Sequence, residues 1–188
     1  MRKLLVCLAL LPACGGGDDD GWQGETPHVD IHGTLGDTDI ALDLDEDAAA
    51  NLERVFCKRE YVAEVFPEIE ATVRVVEDGI EKEFEIGFTA ADFGAIDAPA
   101  TREVVPAVED VAPAAGQVYL EMEWTWEDPA AGFVNWEGAA TSGTVSLERF
   151  APDRATADSA LGLYFDATWA EGSVAGSLTI HCGPDEIE

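Results

Sequence analysis

The sequence predicts an all-β protein: an antiparallel β-sandwich or an up-and-down β-barrel of about eight to ten strands, with at most one short helix. Apolar residues recur at every second position in most segments, which is typical of strands with one buried face. Short turn sequences such as Asp78-Gly79 separate these segments, and strands joined so closely pair as antiparallel hairpins. The pattern leaves the choice between sandwich and barrel open.

The first predicted hairpin spans residues 29–35 and 38–44, with Gly36-Asp37 as its turn. Residues 45–54 contain three consecutive alanines and are the one helix candidate. Residues 55–60 then return to a strand pattern.

The next hairpin is the clearest. Residues 69–77 and 80–88 alternate on both sides of Asp78-Gly79, a pair that suits the positive φ angles of a type I′ turn. A short edge strand is predicted around Val104, Val105 and Val108, because Pro106 and Pro113 exclude a central position.

The strongest predicted strand is 117–127, and residues 129–141 after it form a loop. Three closing strands are predicted at 143–150, 159–169 and 172–182. On the strongest strand, the apolar residues that share one face are Val118, Leu120, Met122, Trp124 and Trp126.

The N-terminus has the features of an export signal. Arg2 and Lys3 precede an apolar run at 4–11 that is too short to span a bilayer, which needs roughly 20 residues. Leu11, Ala13 and Cys14 resemble the lipobox of bacterial lipoproteins, although Pro12 departs from its commonest residue.

This resemblance implies that residues 1–13 are a signal peptide and that Cys14 is the lipid-attachment site. Gly15 follows Cys14 in place of Asp, which by the sorting rule of such lipoproteins implies the outer membrane, with the side left open. The alternative is a plain secretory signal with an incidental cysteine. The strand 143–150 and the hairpin after it also resemble predicted envelope lipoproteins of unknown function.

Residues 14–27 are predicted to be a flexible tether, because they are rich in glycine and acids and cannot bury apolar surface. Residues 28–188 then form a single β domain, long enough for a core of its own. The formal net charge of −29 argues against nucleic acid or anionic head groups as partners. Divalent cations, including loosely bound calcium, and basic partners remain open.

Two cysteines lie outside the signal and the lipid site. Cys57 and Cys182 are predicted to form a disulfide, because an isolated pair in an exported protein usually bridges. The chain-entropy model gives such a long loop on the order of 4–5 kcal/mol of stabilisation. The alternative is two buried thiols that do not meet.

Two clusters contain metal-ligating residue types but lack the geometry that a metal site needs. His28, Asp30 and His32 share one strand face, but residues four apart on a strand lie roughly 13 Å apart, too far for one ion, and nothing brings His181 close. The run from Asp43 begins like a calcium loop, yet it has Ala48 and Arg54 where Gly and Glu are needed. We expect no metal and no cofactor.

Two features point to carbohydrate. Glu121 and Glu123 face the same way about 7 Å apart, within the separation that glycosidase carboxyl pairs use. Trp136, with Phe133 and Asn135, is predicted to form an exposed aromatic platform, whereas Trp124, Trp126 and Trp169 belong to the core.

No nucleophile or phosphate-loop motif is present in the sequence. The predicted function is therefore a lipid-anchored envelope protein with a non-enzymatic β domain that has a structural role or binds a ligand, an envelope protein or a glycan. The alternative is a carbohydrate-binding module or weak glycoside hydrolase. The oligomeric state is left open.

Overall fold

The computed structural model confirms the all-β class. It describes residues 28–44, 52–62, 66–77, 79–92, 99–128, 132–151 and 160–181, with the side chains of 52–62, 77, 128, 149–151, 160 and 181 left aside. The described residues contain strands and no helix. The strands are β1 (His28–Leu35), β2 (Thr38–Leu44), β3 (Leu52–Val62), β4 (Phe66–Glu77), β5 (Ile80–Thr89), β6 (Ala100–Val104), β7 (Gln117–Asp128), β8 (Gly132–Ala139), β9 (Ser142–Ala151), β10 (Ala160–Trp169) and β11 (Gly172–His181).

The strands form one mixed, curled sheet in the order β2-β1-β11-β10-β9-β6-β7-β5-β4-β3, with β8 also paired to β7. All pairings are antiparallel except the short one between β6 and β7. The sheet curls far enough to bring Cα atoms of β3 and β11 within 8 Å of each other, although β3 ends the hydrogen-bonded path. This architecture is compatible with either a sandwich or a barrel-like fold.

The core lies on the concave side of the curl. The rings of Phe84 on β5 and Phe165 on β10 stack there, with their centroids 6.2 Å apart. Leu120 and Leu163 are fully buried beside them in the same cluster. Burying one such side chain contributes about 1.5–3 kcal/mol, so the contacts between the two halves of the sheet provide much of the stability.

The two predicted hairpins with glycine turns are confirmed. Gly36 between β1 and β2 has a φ of 59°, and Gly79 between β4 and β5 has a φ of 79°. Both values lie in the left-handed region that glycine enters without a steric penalty. The antiparallel register of each hairpin puts the alternating apolar residues on the core face.

Several predicted elements differ from the structure. Residues 132–139 form strand β8, where a loop was predicted. The strand near Val104 ends before Pro106 and is central, since β6 pairs with both β7 and β9. Leu52 begins a strand at the end of the predicted helix, and the remainder of that candidate lies mostly outside the described residues.

Candidate functional site

The outer face carries a groove over β1, β11, β10 and β9, about 310 Å³ in volume. It exists because β11 carries the small residues Ala175 and Ser177 between larger side chains on both neighbouring strands. Strands in a sheet lie about 4.8 Å apart, so the walls on β1 and β10 stand roughly 10 Å apart. We call this feature the β11 groove.

Two rows of paired residues cross the β11 groove. In the first row, Asp30 pairs with Ser177, which pairs with Tyr164, which pairs with Ser146. Each wall of this row therefore carries a group that can bond a polar ligand.

The second row runs parallel to the first. His32 pairs with Ala175, which pairs with Asp166, which pairs with Thr144. The two carboxylates, Asp30 and Asp166, thus lie on opposite walls and in different rows.

The walls of the β11 groove are open to solvent. The side chains of His32 and Asp30 are 70% and 50% exposed, with His32 Nδ1 3.4 Å from Asp30 Oδ1. Tyr164 is 47% exposed, an unusual value for a large side chain in this fold. The hydroxyl of Ser146 is hydrogen-bonded to the hydroxyl of Thr101 on β6.

Close packing around Gly176 on the core side of β11 supports the floor of the groove. A Cβ atom placed on Gly176 would lie 2.8 Å from the carbonyl oxygen of Asp30 and 3.0 Å from Cε1 of Phe165. Because real Cβ atoms do not approach backbone so closely, glycine is the residue that lets β11 pack this tightly. The core thus fixes the height of the groove floor.

The predicted sharing of one face by His28, Asp30 and His32 is confirmed by their places in the register of β1. Across the described part of the chain, no three His, Cys, Asp or Glu side chains are placed to hold a metal ion. The side chain of His181, and most of the acidic run that begins at Asp43, lie outside that part.

Glu121 and Glu123 lie on the outer face of β7, as predicted. Glu70, Glu85 and Glu137 from three other strands join them around a small cavity of about 110 Å³. Glu68 is 8% exposed, and its carboxylate occupies the space that a side chain at Gly87 would fill. This face is a dense acidic surface.

The predicted Trp136 platform is wrong. Trp136 lies on β8, is partly buried and packs edge-on against Trp169, with ring centroids 6.1 Å apart. The indole Nε1 of Trp169 donates a 3.0 Å hydrogen bond to the carbonyl oxygen of Gly138. Period-two alternation on β8 turns Trp136 to the core and turns Phe133 and Asn135 outward.

The outward residues of β8 line another depression, of about 280 Å³. Phe133 is 69% exposed there, and the hydroxyl of Thr125 donates a 3.2 Å hydrogen bond to Asn135 Oδ1. Arg74 at its rim donates a 2.6 Å hydrogen bond from Nε to Glu83.

One buried cation stands out in this acidic protein. Arg102 on β6 is 5% exposed and donates a 3.2 Å hydrogen bond to the carbonyl oxygen of Ala100. Burial lowers the pKa of this guanidinium from its usual range.

The remaining predicted site residues are cysteines. Cys14 and Cys182 lie outside the described residues. Cys57 is placed by its backbone alone, on β3 opposite Ala71, and its side chain lies outside as well.

Sequence reasoning missed the β11 groove and four of its residues, namely Thr144, Ser146, Tyr164 and Asp166. A signal was available in the small residues at 173, 175 and 177, which alternate along one strand. These small residues predict a groove only once β1 and β10 are known to flank that strand.

No protein-family model, curated protein or solved structure matches the chain. In the part of the chain that the structure describes, no helix has the length and apolar character needed to cross a membrane.

Proposed function

We propose that this chain is a lipid-anchored protein of a bacterial outer membrane whose β domain binds a ligand without catalysing a reaction. The observation that carries the binding function is the β11 groove: a concave site, built on four strands, with polar groups converging from both walls. Ligand sites are typically concave and largely preformed, with a few well-placed polar groups.

The geometry of the groove favours binding over catalysis. Electrostatic stabilisation of a transition state is strongest in sites that exclude water. Asp30 and His32 are instead 50% and 70% exposed, so water reaches both side chains.

The anchor is supported by the sequence. Leu11, Ala13 and Cys14 supply the lipobox pattern, and Gly15 favours the outer membrane. A single acyl chain binds membranes only marginally, whereas the several chains of a lipoprotein cysteine hold a domain permanently. The partners proposed are this membrane, through the lipid, and an envelope protein or glycan in the groove.

A Cys57–Cys182 disulfide belongs to the same proposal. Cys57 lies on β3, Cys182 directly follows β11, and Cα atoms of these two strands approach within 8 Å. Disulfides join Cα atoms that are usually about 4.4–6.8 Å apart, so the curl of the sheet favours the bridge. It would tie the last strand to the free edge of the sheet.

Intact mass spectrometry of the protein from the membrane fraction tests the anchor and the bridge together. We expect a chain that begins at Cys14, carries acyl groups, and resists alkylation at Cys57 until it is reduced. Cys14→Ser should release the chain from the membrane pellet. An unacylated protein that stays in the pellet after this substitution would overturn the anchor.

A thermal-shift screen of the detergent-solubilised full chain tests binding. A ligand present at 100 times its Kd stabilises the folded state by about 2.7 kcal/mol. Ala175→Trp, which fills the groove floor, should remove the shift, whereas Phe133→Ala on the opposite half of the sheet should keep it. If a ligand still raises the unfolding temperature of Ala175→Trp, the binding site lies outside the β11 groove.

The alternative function is a carbohydrate-binding module or weak glycoside hydrolase at Trp136 and the Glu121/Glu123 pair. Trp136 packs against Trp169 and so does not provide the exposed aromatic surface that this function needs. A glycosidase also needs one carboxyl in apolar surroundings. Glu121 is exposed, and Glu123 lies among other carboxylates and shares the hydroxyl proton of Thr125 with Asn135, with its Oε1 3.2 Å from Thr125 Oγ1.

A further inference from the structure

We propose that the β11 groove is a saccharide site selective for neutral sugars, in which Tyr164 packs against a sugar ring while Asp30 and Asp166 accept hydrogen bonds from its hydroxyls. This inference rests on the proposed ligand-binding function and names the class of ligand. It places the site on the opposite half of the sheet from Trp136 and the Glu121/Glu123 pair.

The first argument is the mixture of hydrogen-bonding groups. Asp30 and Asp166 only accept when ionised, His32 offers a ring N–H, and the hydroxyls of Tyr164 and Ser146 can do either. Sugar hydroxyls also donate and accept, so they can satisfy all of these groups at once. A cation would bond only to the acceptors of this set and an anion only to its donors, whereas a sugar hydroxyl can bond to both kinds.

The second argument is the exposure of Tyr164. Its cross-strand neighbours on both sides are serines, Ser177 and Ser146, which are too small to cover an aromatic ring. The ring is 47% exposed at the edge of a concavity. Tyrosine combines an apolar face with a polar tip, which matches the apolar ring face and polar rim of a sugar.

The third argument is charge. The chain carries a net charge of −29, and two carboxylates line this groove. An acidic sugar or a phosphate would be repelled both by the whole protein and by Asp30 and Asp166. The site should therefore prefer a neutral sugar over its acidic counterpart of the same ring structure.

The fourth argument is preorganisation. Every group named here lies on a strand, and the floor is fixed by the close packing at Gly176. A ligand then loses little binding free energy to ordering the protein. The volume of about 310 Å³ lies at the small end of known sites, which suits a short sugar over a long buried polymer.

A glycan array probed with the detergent-solubilised full chain tests the proposal. The array should hold neutral, N-acetylated and acidic sugars, and a hit is then titrated by calorimetry. We expect a neutral hit whose affinity falls at least about tenfold in Tyr164→Ala. Asp166→Asn, a milder change, should also weaken it, and Ala175→Trp should abolish it.

Phe133→Ala is the matched control, because Phe133 is an exposed aromatic outside the groove. It should bind as the wild type does. Thermal unfolding of every variant confirms that losses of affinity do not reflect unfolding.

Four outcomes would overturn the saccharide site. The first is sugar binding that Phe133→Ala abolishes and Tyr164→Ala retains, and the second is a preference for acidic sugars. The third is binding of polyamines alone, with steep salt dependence. The fourth is that no sugar binds at all. If no sugar binds but another ligand shows a thermal shift that Ala175→Trp removes, the proposed function stands and the saccharide inference alone fails. If no ligand responds to Ala175→Trp, both fail.

Discussion

The indole Nε1 of Trp169 donates a 3.0 Å hydrogen bond to the carbonyl oxygen of Gly138, which ties the end of β10 to β8. Trp136 packs edge-on against the same indole, with centroids 6.1 Å apart. The aromatic residue that looked most like a ligand platform is thus part of the junction between two strands that do not pair in the sheet.

Trp136→Ala should therefore act on stability. Removing a partly buried indole that packs on the core should lower the free energy of unfolding by about 2 kcal/mol. Phe133→Ala, three residues away but 69% exposed, should change it by less than about 0.5 kcal/mol. Urea unfolding of the full chain measures both, and equal effects would contradict the packing described for β8.

Phe84 and Phe165 provide a direct test of the curl of the sheet. Either substitution to Ala should lower the free energy of unfolding by about 3–5 kcal/mol, since both rings are buried. A double-mutant cycle should show coupling of about 0.5–1.5 kcal/mol, because the rings stack 6.2 Å apart. Additive effects would mean that β5 and β10 do not face each other in solution.

Gly176→Ala should lower the free energy of unfolding by about 1–3 kcal/mol, because the added Cβ would lie 2.8 Å from the carbonyl oxygen of Asp30. Ser177→Ala is the matched control on the same strand, with its side chain on the outer face, and should change stability by less than about 0.5 kcal/mol. Chemical denaturation distinguishes the two. A neutral Gly176→Ala variant would show that β11 has room on its core side.

At the Gly79 turn, backbone conformation alone should determine the effect of a substitution on stability. A Cβ atom at this position meets nothing within 4 Å, but the φ of 79° disfavours a side chain. Gly79→Ala should lower the free energy of unfolding by about 1 kcal/mol. Gly79→Asn should cost less, since Asn enters the left-handed region more readily. If Ala and Asn proved equally harmless, the positive φ angle at Gly79 would be wrong.

The parts of the fold that could be predicted from sequence depend on short-range information. The β1–β2 and β4–β5 hairpins combine alternation with a glycine turn, so the local sequence determines both the strands and their register. β8 was missed because Pro129 and the glycines near it suggest a loop, although Phe133, Asn135 and Glu137 alternate with Val134 and Trp136.

The candidate site could not be predicted for a different reason. Tyr164 faces Asp30 across β11 only because β1 pairs with the last strand described, and no local pattern encodes that pairing. The central position of β6 could not be predicted for the same reason, because its pairing with β7 and β9 depends on the arrangement of the whole sheet.

The pairing of β1 with β11 also has a consequence for how the molecule matures. His28–Leu35 is synthesised well over a hundred residues before Gly172–His181. At roughly 5–20 residues per second this separation is about 7–30 s of synthesis, and until β11 folds, the β1 edge lacks its partner and is prone to aggregation. A helper protein that shields nascent β edges should therefore raise the yield of this chain, and any truncation that removes β11 should leave the start of the domain unable to complete its fold.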